Sequence, residues 1–227
     1  MVKFKRKGKR RSVAIIGIST FGYYLCKYLS DAGVEILAVD MDEKRVDAVK
    51  SFVHKAVIAD ARDRKVLREL GIEEMDEVVV SVGEDIAASI LIVVHLRDMG
   101  IRDIVAKATS EDHARVLELI GASEIFFPER DTALRVAYTL YSPKLLDFIS
   151  LEQDYSIVEF CPPSSWSGKT LAELDLRRNY QVQVIMVKET VPENFIMIPG
   201  GDYVVKDSDV LTVLGKNEDL QKLERVQ

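Results

Sequence analysis

The sequence contains no apolar run that approaches the roughly 20 residues a bilayer-spanning helix requires. The longest candidate, Ile86 to Leu96, is too short and ends against Arg97 and Asp98. Any role in a membrane process would need a separate subunit to supply the pore or anchor. Cysteine is equally scarce: Cys26 and Cys161 are the 2 present, far apart and in apolar contexts. That excludes a disulfide framework and suits two buried thiols in a reducing compartment. The 3 histidines, His54, His95 and His113, stand at no zinc-ligand spacing from a cysteine or from one another. The amino terminus carries Lys3, Lys5, Arg6, Lys7, Lys9, Arg10 and Arg11 but lacks the apolar stretch of a secretory signal. A cytoplasmic location is expected. Without those seven charges the formal net charge falls from -6 to -13. So acidic a body disfavours nucleic acid as a partner. Residues 1–11 read as a solvated basic tail.

What remains is ordinary for a folded protein: 48% apolar and 30% charged residues over 227 positions, enough for two domains. From residue 12, short apolar runs alternate with amphipathic segments, the sign of stacked βαβ units. Strands are expected at 13–16, 35–39, 56–58, 78–81, 104–106 and 124–127, with helices near 21–32, 43–51, 63–70, 85–99 and 111–120. The fold class is α/β, a Rossmann-type doubly wound parallel sheet over 12–128. Residues 129–150 read as crossover helices interrupted at Pro143. Residues 151–227 read as a small α+β domain with strands at 156–160, 182–187, 195–198 and 210–214, closed by a helix from about 218.

The first strand runs into Gly17, Ile18, Ser19, Thr20, Phe21 and Gly22, followed at once by a helix. This is the G-x-G-x-x-G loop with serine at its second glycine. The first glycine permits the turn, the middle position lets backbone N–H groups approach a phosphate, and the last lets helix pack on strand. The helix start then offers unpaired N–H groups to an anion. Asp40, 18 residues beyond Gly22 and followed by Met41, ends the second strand, where a carboxylate accepts hydrogen bonds from ribose hydroxyls. Its charge disfavours a 2′-phosphate, so NAD or an adenosine nucleotide is expected over NADP. Two other patterns fail. Tyr23 and Lys27 have a dehydrogenase spacing but sit beside the phosphate loop, and Gly168-Lys169-Thr170 lacks the P-loop's earlier glycine because position 163 is proline.

These residues resemble the regulator-of-potassium-conductance (RCK) family of KtrA/TrkA-type cytoplasmic subunits. The likeness spans about 11–225. It rests on the glycine loop with Asp40, on Ala59-Asp60-Ala61 with Val66 to Ile72, on Val116 to Ala122 leading into Phe127-Pro128-Glu129-Arg130, and on Asp154 to Glu159. Residues 168–177 and 207–215 look like the family's carboxy-terminal module.

The resemblance implies that Asp60 and Ala61 flank an adenine, and that Ser81, Val82, Gly83 and Lys107 border phosphates. It also implies that Glu129 lies near them and holds a divalent cation. At Thr20 KtrA-like proteins often carry arginine, which leaves AMP, ADP, ATP and NAD all open as the ligand. In similar proteins the carboxy-terminal module can bind cyclic di-AMP at a dimer interface, and Arg177, Tyr180 and Pro199 are candidates for such a site. The implied role is regulatory and not enzymatic: homo-oligomeric dimers assembled into a ring at the inner face of the membrane, gating a potassium-translocating subunit. The rival reading is an NAD-dependent oxidoreductase. A Rossmann-type repressor is a third, for which the basic tail is too short a DNA-binding module.

Overall fold

The computed structural model describes residues 11–82, 85–141, 145–151 and 154–224. The basic tail up to residue 10 and Gly83 therefore lie outside the described residues. Contacts divide the chain into two units after Pro128.

The first unit alternates strand and helix throughout. Its strands are Ser12–Ile16 (β1), Glu35–Asp40 (β2), Lys55–Ile58 (β3), Glu77–Val80 (β4), Ile104–Lys107 (β5) and Glu124–Phe126 (β6). The helices between them are Thr20–Asp31 (α1), Glu43–Val49 (α2), Arg64–Glu69 (α3), Ile86–Asp98 (α4) and Glu111–Leu119 (α5). All neighbours pair in parallel in the order β3-β2-β1-β4-β5-β6, the doubly wound arrangement expected.

Alternation within each strand builds two cores. Ala14, Ile16, Leu37, Val39, Val78 and Val80 face one layer with Leu67, Ile92, Leu96 and Leu117. Val13, Ile15, Ile36, Ala38 and Val79 face the other with Cys26, Val46 and Val49. Burial on both faces is why these strands read as continuous apolar runs. Helices α2 to α5 start on a side chain that accepts a backbone N–H of the first turn: Asp42, Asp63, Asp85 and Ser110.

The second unit is antiparallel. After Pro128–Tyr141 (α6) come Leu145–Ser150 (β7), Tyr155–Phe160 (β8), Leu171–Leu174 (α7), Leu176–Tyr180 (α8), Gln183–Thr190 (β9), Glu193–Met197 (β10), Val210–Lys216 (β11) and Asn217–Glu224 (α9). The sheet order is β10-β9-β11-β8-β7. One face carries a core of Phe148, Val158, Phe160, Trp166, Val187 and Leu211, among others.

Two expectations are corrected here, and a rejected pattern finds its place. Residues 145–150 are not helical: they pair with β8 as an edge strand whose register shifts between Leu145 and Asp147, with Phe148 buried and Leu146 and Ile149 exposed. Cys161 is partly exposed; of the two thiols Cys26 alone is buried. The P-loop look-alike is a helix cap, with Thr170 accepting the Glu173 N–H at 3.1 Å and Glu173 accepting the Thr170 N–H at 2.7 Å.

Candidate nucleotide site

At the carboxyl ends of β1, β2 and β3 lies a cavity of about 380 Å³. Open parallel sheets bind ligands at this edge, where the strand order reverses. The first glycine of the loop is forced by contact as well as by conformation. Gly17 has φ +97°, and a Cβ there would lie 2.3 Å from the Ser81 carbonyl oxygen. A Cβ at Gly22 would stand 2.2 Å from the Gly17 oxygen, so α1 can close on the loop only without a side chain. Backbone bonds hold the loop: the Gly17 N–H donates to Val39 O at 2.8 Å, and the Ser81 N–H to Ile16 O at 2.7 Å.

Unlike α2 to α5, α1 begins on a residue, Ser19, that makes no side-chain cap. Its hydroxyl lies 3.4 Å from that of the buried Ser81. The first turn of α1 therefore presents its N–H groups unmet by a capping side chain, at the end of a 12-residue helix whose dipole favours an anion.

Asp40 accepts the Ile18 N–H at 2.6 Å and the Asp42 N–H at 2.9 Å, and its side chain is 9% exposed. This carboxylate fixes the glycine loop while lining the cavity. Asp60 is held differently. Its Oδ1 accepts the Arg62 N–H at 3.0 Å, and the carboxylate takes the guanidinium in a fork, from Nε at 2.9 Å and Nη2 at 2.7 Å. Hydrogen bonding from Arg62 holds the Asp60 carboxyl below its usual range and raises the guanidinium in return.

Of the residues singled out from the sequence, Gly17, Asp40, Met41, Asp60, Ala61 and Val82 line this cavity together. Ile18 contributes its backbone N–H and buries its side chain in the core, while Thr20 is exposed on the first turn of α1. The Phe21 ring packs on that of Phe126, tilted by 34° at 4.7 Å between centroids. Ser81 and Lys107 are buried at the ends of β4 and β5, and neither lines the cavity. Glu129 belongs to the second unit, in the first turn of α6. Among the described residues no three His, Cys, Asp or Glu side chains gather as a metal-binding group.

Sequence reasoning missed the two cations of the cavity, Arg45 and Arg62, together with Asp85. Arg45 lies 3.7 Å from both Asp40 and Asp42. The available signal was positional: each arginine follows shortly after an acid that ends or leaves a strand. In the second unit a cavity of about 310 Å³ brings Arg177 and Pro199 together with Asp175, Gln183 and Gly201. Tyr180 does not line it; the ring packs 6.2 Å from that of Trp166, against the core.

The TrkA-N domain family matches residues 13–128, and the TrkA-C domain family matches 156–227. The chain belongs to the TrkA family. The Ktr system potassium uptake protein C of Bacillus subtilis (strain 168) is 37% identical to it over 95% of this chain and 97% of that one. The Ktr system potassium uptake protein A of Vibrio alginolyticus is 35% identical over 92% of this chain and 94% of its own. A solved structure of the GsuK channel bound to NAD shares the fold at a TM-score of 0.54 and 19% identity, over 97% of this chain and 39% of that longer one. Among the described residues of this TrkA-family chain, no helix is long and apolar enough to cross a membrane.

Proposed function

We propose that the chain is a regulatory subunit of a potassium uptake system, and that its first unit senses an adenine nucleotide in the cavity at the ends of β1 to β3. The observation that carries this reading is the uncapped start of α1 above a glycine loop locked to Ser81 and pinned by Asp40. Phosphate would sit on the first-turn N–H groups, and the ribose would lie by Asp40. The potassium role is supported by relatives named as Ktr potassium uptake proteins, which align over nearly their whole length.

On this reading the ring, the membrane subunit it gates and a peripheral place at the inner membrane face go together. The free energy for gating comes from unequal affinity of the nucleotide for two arrangements of the assembly. Calorimetric titration with AMP, ADP, ATP and NAD tests the site. Asp40→Ala removes both the acceptor that pins Ile18 and the ribose partner, and should weaken binding by about 1.5–3 kcal/mol. Unchanged affinity would place the ligand elsewhere.

A further inference from the structure

The carboxylates around the first-unit cavity are already engaged by backbone donors. Asp40 takes two N–H groups, Asp42 takes that of Lys44, Asp60 that of Arg62 and Asp85 that of Ala88. Asp60 is the most fully committed, because the fork of Arg62 adds bonds from Nε and Nη2 to its two oxygens. A two-point hold of this kind fixes the plane of a guanidinium, which a single contact cannot do. It also sets Nη2 3.8 Å from the Met41 sulfur. The outcome is a flat, oriented cation in the wall of a cavity whose other lining includes Ile16, Val39, Ala59, Ala61 and Val82. A guanidinium in that setting attracts the face of an aromatic ring.

We propose that Arg62 selects a purine base in this cavity by stacking its guanidinium on the ring, and that Asp60 acts on the base only by orienting Arg62. The inference rests on the reading of the cavity as a nucleotide site. It reassigns Asp60 from ligand contact to positioning residue. Lysine cannot replace Arg62, since an ammonium has no plane to stack and cannot be gripped at two points.

Full-length protein, titrated with AMP and with ribose 5-phosphate and followed by backbone amide chemical shifts, tests the assignment. Asp60 and Arg62 side chains are 40% and 43% exposed, so variants at either position should keep the fold. Arg62→Ala is expected to weaken AMP about tenfold and to leave ribose 5-phosphate unchanged. Arg62→Lys should not rescue it. Asp60→Asn is expected to weaken AMP about threefold alone and to add nothing in the Arg62→Ala background, the non-additivity of a residue that works through another. An equal loss from Asp60→Asn in both backgrounds, an equal loss of ribose 5-phosphate, or unchanged AMP affinity in Arg62→Ala would overturn the inference while leaving the nucleotide site standing. Wild-type protein that binds none of AMP, ADP, ATP and NAD would overturn the site itself; if another of the four binds in place of AMP, the same variants are read on that nucleotide.

Discussion

In the first unit every carboxylate around the cavity is answered by a backbone N–H, whereas in the second unit the deepest carboxylate among the described residues takes a phenol beside its one backbone N–H. Asp209 is 1% exposed and accepts from Tyr203 Oη at 2.7 Å and from the Lys206 N–H at 2.9 Å. Its Oδ1 has no hydrogen-bond partner among the described residues. Lys206 in turn bonds Glu189 on β9, whose other oxygen takes Asn194 of β10 at 2.9 Å. In one sheet, then, acids fix the conformation of loops that a ligand would meet. In the other they link side chains and tie a hairpin to the turn before β11. The first arrangement depends on backbone geometry and the second on burial of a charged network, so the two should fail under different substitutions.

A matched pair of glycines should break the comparison most sharply. Gly17 and Gly168 both have positive φ, +97° and +79°, but a Cβ meets Ser81 at 2.3 Å in the first case and nothing within 4 Å in the second. Gly17→Ala should cost about 3–5 kcal/mol and abolish nucleotide binding, and Gly168→Ala about 1–2 kcal/mol. Urea unfolding of both variants checks this, and equal costs would mean that contact at the loop does not govern the first unit.

Next in size is Tyr203→Phe, which removes a donor from a buried carboxylate and should cost about 1–3 kcal/mol. The single tryptophan, Trp166, is buried in the second core, so its fluorescence reports that unit directly. Nucleotide affinity should not move; a fall would show that the network reaches beyond its own sheet.

The smallest effect concerns alkaline pH. Burial pushes the Cys26 thiol from 9.0 up to about 12. Above pH 9 the unfolded chain releases this proton while the folded chain keeps it. Stability is therefore intact below that point and falls as pH rises toward 12, by at most about 1.4 kcal/mol per pH unit. Tyr203, also raised by burial and then by Asp209, acts with the same sign in the second unit. Urea midpoints at pH 8 and 10 should converge in Cys26→Ala if the first unit carries the larger share, and stay apart if Tyr203 does.

The first unit was the more legible of the two because its physics is repetitive. Strands buried on both faces, such as Val78 to Val80, announce themselves as β-branched runs between glycine-ended helices. β7 was hidden because its Leu-Leu-Asp-Phe-Ile-Ser follows a helical segment and lacks apolar-polar alternation, its register being shifted between Leu145 and Asp147. α7 and α8, of 4 and 5 residues, are too short to show any helical period. At the site, Gly17 and Asp40 were visible because backbone geometry demands a particular residue at a particular spacing. Arg62 was not: a long side chain reaches its place through χ angles that no sequence pattern records. For Phe21 the motif gives the backbone position but says nothing about which way the ring turns.

The seat of Gly17 also has a mechanical meaning. Its N–H is fastened to the end of β2 and its predecessor's carbonyl to the end of β4, with no space between for even one added carbon. Such a loop has no slack of its own. A ligand pressing on it would load β2, β1 and β4 together as one stiff edge, so occupancy would be registered by the sheet rather than by the flexing of a flap.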